Sequence, residues 1–233
     1  MKLQSKFLGI IPARSGSKGI PEKNIRPLCG SPLLGHSIVE AKKSKYLDRL
    51  IVSTDSEQYA KIARQYGAEV PFLRPAVLAS DKSLIVDTII NLLDTLKLRE
   101  GYVPNYIVLL QTTSPLRTVR DIDESIKIML RDKCDAVMSM CSTENLLYTI
   151  QSGRLKLLYN KDWLRKTNRQ SVPPTFKING PAVLVVKVAS IYKYHSLIGG
   201  KIAPYVMEKR RSVDLDAEED FRLAELLYKK FNR

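Results

Sequence analysis

Little in this chain suits nucleophilic or acid–base catalysis. Its 233 residues include only two histidines, His36 and His195, and three cysteines, Cys29, Cys134 and Cys141. No Ser-His-Asp or Cys-His set is evident among them. The cysteines have no metal-ligand spacing and leave one unpaired, so reduced thiols are expected. No apolar run approaches the roughly eighteen residues of a membrane span. The opening MKLQSKFLGIIPARSG lacks a signal-peptide cleavage region, so a cytoplasmic location is expected and a membrane role is not. Aromatic residues make up 7% and form no stacking series of the kind that reads RNA. Lys and Arg outnumber Asp and Glu by 38 to 24, a net charge of +14. Outside Glu208–Arg211 and Lys229–Arg233 those cations are scattered, which favours a small, highly anionic substrate over nucleic acid.

What the chain does have begins at Phe7. The stretch FLGIIPARSGSKGIPEKN, Phe7 to Asn24, opens as a buried strand and breaks into a loop. Gly16 and Gly19 let backbone amides approach a ligand, and Arg14, Lys18 and Lys23 carry charge opposite to a phosphate chain. Neither G-x-G-x-x-G nor G-x-x-x-x-G-K-[ST] is present, which excludes a dinucleotide fingerprint and a Walker loop. The stretch reads either as another kind of nucleotide-phosphate loop or as a polar loop with ordinary surface cations.

Beyond it, strand and helix patterns alternate. Helices are predicted over Pro32–Lys43, Glu57–Tyr66 after the cap Thr54-Asp55-Ser56, a stretch from Ser83 through Leu96, and Thr118–Arg131, opened by a Thr118/Asp121 capping box. His36 falls within the first, where packing or capping is the ordinary role. Strands are predicted at Leu50–Ser53, Glu69–Phe72, Tyr106–Leu110, Ala136–Met140, Pro181–Val188 and Ile202–Met207, and a closing helix at Glu218–Lys230. This order implies an α/β domain with a mostly parallel sheet covered on both faces, whose ligands gather at the carboxyl ends of strands. From Cys141 to about Ile178 the alternation stops. A hairpin about Ser152-Gly153 and a polar arm with Trp163 there read as an excursion, large enough for a lobe or an oligomer contact and too small to fold alone.

Near the end, Asp214 and Asp216 stand two apart. In an extended segment both carboxylates face one spot, which suits Mg²⁺, an ion that takes one or two carboxylates and completes its shell with water and phosphate. Asp216 also fits a helix N-cap with Glu219 three residues on. A cationic glycine loop and an acidic pair together describe phosphoryl-type chemistry, which needs positioning and charge neutralisation more than a nucleophile.

These residues fall in an ordered set of motifs: IPARSGSKGIPEKN, LLGH at Leu33, VSTD at Val52, RP at Arg74, LASD at Leu78, LQ at Leu110, TSPLR at Thr113, RQ at Arg169, NG at Asn179 and VDLD at Val213. In this the chain resembles the cytidylyltransferases that activate nine-carbon sialic-type sugars, the CMP-N-acetylneuraminate synthetases and their CMP-legionaminate relatives. The resemblance implies a three-layer α/β/α nucleotide-diphospho-sugar transferase fold and a homodimer formed partly through residues 141–178. It implies the reaction of CTP with an acidic nine-carbon sugar, dependent on Mg²⁺, by attack of the sugar's anomeric hydroxyl on the α-phosphorus. Ala13, Arg14, Ser17, Lys23, Asn24, Arg74, Ala79 and Ser80 would bind the nucleotide, with Arg14 and Lys23 on the triphosphate, Asn24 on the ribose, and Arg74, Ala79 and Ser80 around the cytosine; Arg14, Lys23, Asp214 and Asp216 would be the catalytic set. Asp214 and Asp216 would hold metal, and Gln111, Thr113 and Arg169 would meet the sugar. An eight-carbon keto sugar is the alternative substrate, and a basic polyanion-binding protein the alternative of another class. The departures lie on the sugar side. Thr112 stands where the family commonly has proline, suggesting a looser turn; Pro181-Ala182-Val183 replaces Ala-Ile-Tyr; and Tyr148 falls where some members place lysine.

Overall fold

The computed structural model describes residues 5–16, 20–143, 148–158 and 174–231. Its elements in chain order are β1 (Phe7–Pro12), β2 (Pro27–Leu28), β3 (Ser31–Pro32), α1 (Leu33–Lys42), β4 (Arg49–Ser53), α2 (Glu57–Gln65), α3 (Ile85–Glu100), β5 (Tyr106–Leu109) and α4 (Val119–Asp132). There follow β6 (Ala136–Thr143), β7 (Tyr148–Gln151), β8 (Arg154–Leu157), β9 (Thr175–Ile178), β10 (Leu184–Lys187), α5 (Val188–Tyr194), β11 (Ile202–Met207) and α6 (Glu218–Phe231).

The main sheet runs β11-β6-β10-β5-β1-β4, with β9 paired to β6. Only β9 and β10 run against the other five strands, so the sheet is mostly parallel. Alternation along each strand supplies two cores. In β1, Phe7 and Ile11 face the layer of α1, α2 and α4, packing with Leu34, Ile38, Ala63 and Ile126. Leu8 and Ile10 face α3 and α5, packing with Ile89, Leu93, Leu96 and Ile191. Three layers result, as the alternating pattern implies.

A third, smaller core decides how the site is assembled. Ile20, Leu28 and Leu33 from the first part of the chain pack against Val213, Leu215, Phe221 and Ala224 from the last. Fully burying an aliphatic side chain of this size contributes about 1.5–3 kcal/mol. The Arg26 guanidinium lies 4.2 Å from the Phe221 ring and pairs with Glu218, so α6 is held to the opening loop.

Several boundaries differ from the sequence expectation. Glu69–Phe72 forms only a bridge, Glu69 with Ile51, because Pro71 cannot donate to a ladder. Ser83 does not cap α3: its hydroxyl donates to the Val77 carbonyl (2.7 Å), and the cap position is Leu84. The return strand begins at Leu184 rather than Pro181. Before α6 it is Asp220, not Glu219, that reaches back, accepting from the amides of Asp216 (2.9 Å) and Ala217 (2.8 Å). The Thr118/Asp121 capping box forms as expected. His36 is a packing residue, its Nε2 2.8 Å from the Leu28 carbonyl and its ring edge-on to Tyr228. Segment 141–178 is anchored at both ends in the main sheet, where β9 pairs with β6, while β7 and β8 form a separate hairpin. Among the described residues no helix is long and apolar enough to cross a membrane.

Candidate active site

A cleft of about 440 Å³ opens at the carboxyl ends of β1, β4 and β5, where a mostly parallel sheet collects its ligands. Arg14, Lys23, Asn24, Arg74, Ser80, Gln111 and Thr113 all line it. Residues separated by as much as 99 positions are thereby brought to one hollow.

Its first wall is the opening loop braced by the end of β4. The Ala13 amide donates to the Ser53 carbonyl (2.9 Å), extending the β1–β4 pairing, and Ala13 itself is buried behind the cleft. Ser15 gives its amide (2.9 Å) and hydroxyl (2.7 Å) to the two oxygens of Asp55. Burial would raise the Asp55 carboxyl, but these bonds and the Arg74 charge hold it below its ordinary value. Arg74 is itself buried, donating from Nε to the Ser53 hydroxyl (3.2 Å) and from Nη2 to its carbonyl (2.6 Å). Burial lowers its pKa, with Asp55 opposing and the like charge of Arg14 adding to the effect. Arg14 crosses to the 74–83 segment, with Nη2 2.7 Å from Asp81 and Nη1 3.5 Å from the Ala79 carbonyl. Ser80 shares a 2.7 Å hydroxyl contact with Ser83.

The second wall is the Gln111–Thr113 turn together with Val213–Asp216. Arg117, fully buried, donates from Nη1 to the carbonyls of Gln111 and Ala182, each at 2.9 Å. Burial pushes its pKa down to about 10, which still leaves it charged at neutral pH. The Leu215 amide donates to the Thr113 carbonyl (2.9 Å), and Asp214 accepts from the Thr113 hydroxyl. Val213 and Leu215 point into the small core, so Asp214 and Asp216 point away from it. Gly180 closes this side at φ +116°, where a Cβ would lie 3.0 Å from the Ser114 hydroxyl and 3.5 Å from Asp214.

The two walls meet at Lys23. Its Nζ donates to the Leu215 carbonyl (2.7 Å) and lies 3.4 Å from Asp216. Asp214 and Asp216 do not line the cleft itself; they reach it through Lys23 and Thr113. Burial raises the Asp214 carboxyl above its ordinary value, Thr113 opposes this, and the negative charge of Asp216 adds to it. Two hard carboxylates whose charges press on each other form a donor set that fits Mg²⁺. Among the described residues no group of three or more His, Cys, Asp or Glu forms a fuller metal centre.

Ser17 and Arg169 lie outside the described residues. Thr112, in the turn expected to be looser, is buried and its hydroxyl bonds to Asn24. Asp55, Asp81 and Arg117 stand inside the motifs that carry the resemblance, yet the sequence reading gives them no task. Two of them act on other protein groups rather than on the cleft, a role that a motif does not display; the third, Asp81, is also a cleft-lining residue.

The chain was also compared with known proteins. The profile of the family described as "Cytidylyltransferase" matches residues 8–231. An N-acylneuraminate cytidylyltransferase of Escherichia coli is 34% identical over 99% of this chain, which spans 54% of that longer protein. A CMP-N,N'-diacetyllegionaminic acid synthase of Legionella pneumophila is 33% identical over 95% of this chain and 96% of its own length. Among solved structures, a CMP:2-keto-3-deoxy-manno-octonic acid synthetase complexed with CTP superposes with a TM-score of 0.70 at 14% identity, covering 97% of this chain and all of its own, which shows a shared fold. With the family profile matched over residues 8–231 and relatives above 30% identity over 95–99% of this chain, the chain belongs to the cytidylyltransferase family of nucleotide-transferring enzymes.

Proposed function

We propose that this chain joins CTP to an acidic nine-carbon 2-keto sugar of the sialic or legionaminic type, releasing pyrophosphate. The observation that carries this reading is the meeting of Lys23 with Leu215 and Asp216 beside a cleft that also holds Arg14 and Arg74. Cations suited to phosphate and, beside them, an acidic pair suited to a metal ion support this reading. Relatives whose names specify N-acylneuraminate and diacetyllegionaminic acid support the sugar class.

In this reading Arg14 and Lys23 take the triphosphate, Asn24 the ribose, and Arg74 with Ala79 and Ser80 the base. Gln111, Thr113 and Arg169 orient the acidic sugar, with the planar Arg169 guanidinium suited to a forked grip on its carboxylate. The anomeric oxygen forms a bond to the α-phosphorus, the bond from that phosphorus to the bridging oxygen breaks, and the hydroxyl proton passes to solvent. Arg14 and Lys23 offset the charge that grows on departing pyrophosphate. Asp214 and Asp216 would hold Mg²⁺, which supplies further neutralisation of that charge.

We further propose a cytoplasmic homodimer that uses residues 141–178, with no nucleic-acid or membrane partner. Ile150 and Leu155 on the hairpin and Phe176 and Ile178 on β9 are exposed apolar residues of a kind that a second subunit would cover.

The test is a coupled pyrophosphate assay with CTP and Mg²⁺ across N-acetylneuraminate, N,N'-diacetyllegionaminate and 2-keto-3-deoxyoctonate. Turnover is expected with a nine-carbon sugar. Turnover with the eight-carbon sugar alone would replace the substrate, and none with any acid, alongside salt-dependent binding of nucleic acid, would overturn the reading.

A further inference from the structure

Between the two walls runs a buried polar link that the reaction itself does not require. Asn24 is 6% exposed and Thr112 2%. The Asn24 Nδ2 donates to the Arg14 carbonyl (2.9 Å), and the Thr112 hydroxyl donates to Asn24 Oδ1. The directions are forced. A carbonyl can only accept, so the amide nitrogen must face Arg14; the amide oxygen then faces Thr112, which must donate. Thr112 thereby selects one of the two flipped states of the Asn24 amide. It also ties the Lys23–Ile25 turn, which carries Lys23, to the Gln111 turn across the cleft.

We infer that Thr112 is a positioning residue for the nucleotide, acting through Asn24. The inference rests on the CTP reading given above. Once oriented, the Asn24 amide keeps one further N–H and one further lone pair for a ligand in the cleft it lines. Without the hydroxyl, Oδ1 would be a buried acceptor with no donor, and the amide would gain by turning or withdrawing. A turned amide would set its nitrogen away from the Arg14 carbonyl, releasing the loop that holds Arg14.

Three full-length proteins decide it: wild type, Thr112→Val, which keeps the shape and loses the hydroxyl, and Thr112→Ser, which keeps the hydroxyl. Loss of one such bond should weaken CTP binding, titrated with Mg²⁺ and no sugar, about fivefold in Thr112→Val, and Thr112→Ser should restore most of it. A lower Tm in Thr112→Val with CTP affinity unchanged would make Thr112 merely structural and overturn the inference. Wild-type protein that fails to bind CTP would sink the functional reading instead. In that event the Asn24 side-chain amide resonances of the ligand-free proteins decide: a shift in Thr112→Val that reverts in Thr112→Ser upholds the link, and no shift overturns it.

Discussion

The two walls of the cleft are held in different ways. In the first, charged groups are tied mostly to protein: Ser15 to Asp55, Arg74 to Ser53, Arg14 to Asp81. In the second, the acidic pair is left with its charges pressing on each other, Asp216 is exposed, and Lys23 supplies the nearest cation. The first wall is preorganised by bonds made without a ligand, whereas the second is arranged so that an added cation would relieve it. The wall of bound cations suits a nucleotide that is always the same. An acidic pair under like-charge pressure suits a place where charge changes during reaction.

Substitutions can break this contrast, and the largest effect is expected in the second wall. Asp216→Asn should lower turnover by about 100-fold while CTP affinity, measured in parallel, changes far less. Unchanged turnover would remove the metal role. In the first wall, Arg74→Met should raise the KM for CTP about tenfold, the loss of one charge-assisted contact. Its Tm should hardly fall, because burial of an ionised guanidinium opposes folding and its removal offsets the lost bonds to Ser53. A large fall in Tm with KM unchanged would make Arg74 a structural brace. Arg169→Lys should raise the KM of the sugar by roughly fivefold, since an ammonium cannot fork onto a carboxylate. An effect confined to CTP would remove Arg169 from the sugar-binding role.

The smallest effect concerns acid. The folded pKa of Asp55 lies below its ordinary value, so its tether to Ser15 contributes stability that is fully present above about pH 4 and is lost as pH falls through the folded pKa. The Tm difference between wild type and Asp55→Asn should therefore stay constant from pH 7 to about 5 and close in stronger acid. A difference that widened in acid would contradict the assignment.

Elements were legible where local chemistry settles them. The apolar run at Phe7, the Ser56 cap and the Thr118/Asp121 box each act within a few residues, and each appears where the pattern put it. Glu69–Phe72 makes only a bridge because Pro71 removes a ladder donor from an otherwise strand-like run, and Ser83 leaves the cap because a nearby carbonyl takes its hydroxyl. In the site, residue types and motifs pointed to Arg14, Lys23 and the acidic pair, yet nothing in spacing showed that Arg117 would pin two carbonyls or that Thr112 would orient Asn24.

By itself the sequence determined the layered α/β class and the family, because period, caps and motif order are properties of neighbouring residues. Only the tertiary structure decided that Lys23 meets Leu215 and Asp216, 192 and 193 positions away. The reason is packing: Ile20 and Leu28 share one small core with Val213 and Leu215, and alternation along that last segment turns its aspartates away from the core and toward the lysine. No local pattern specifies which apolar residues, so far apart in the chain, will bury one another.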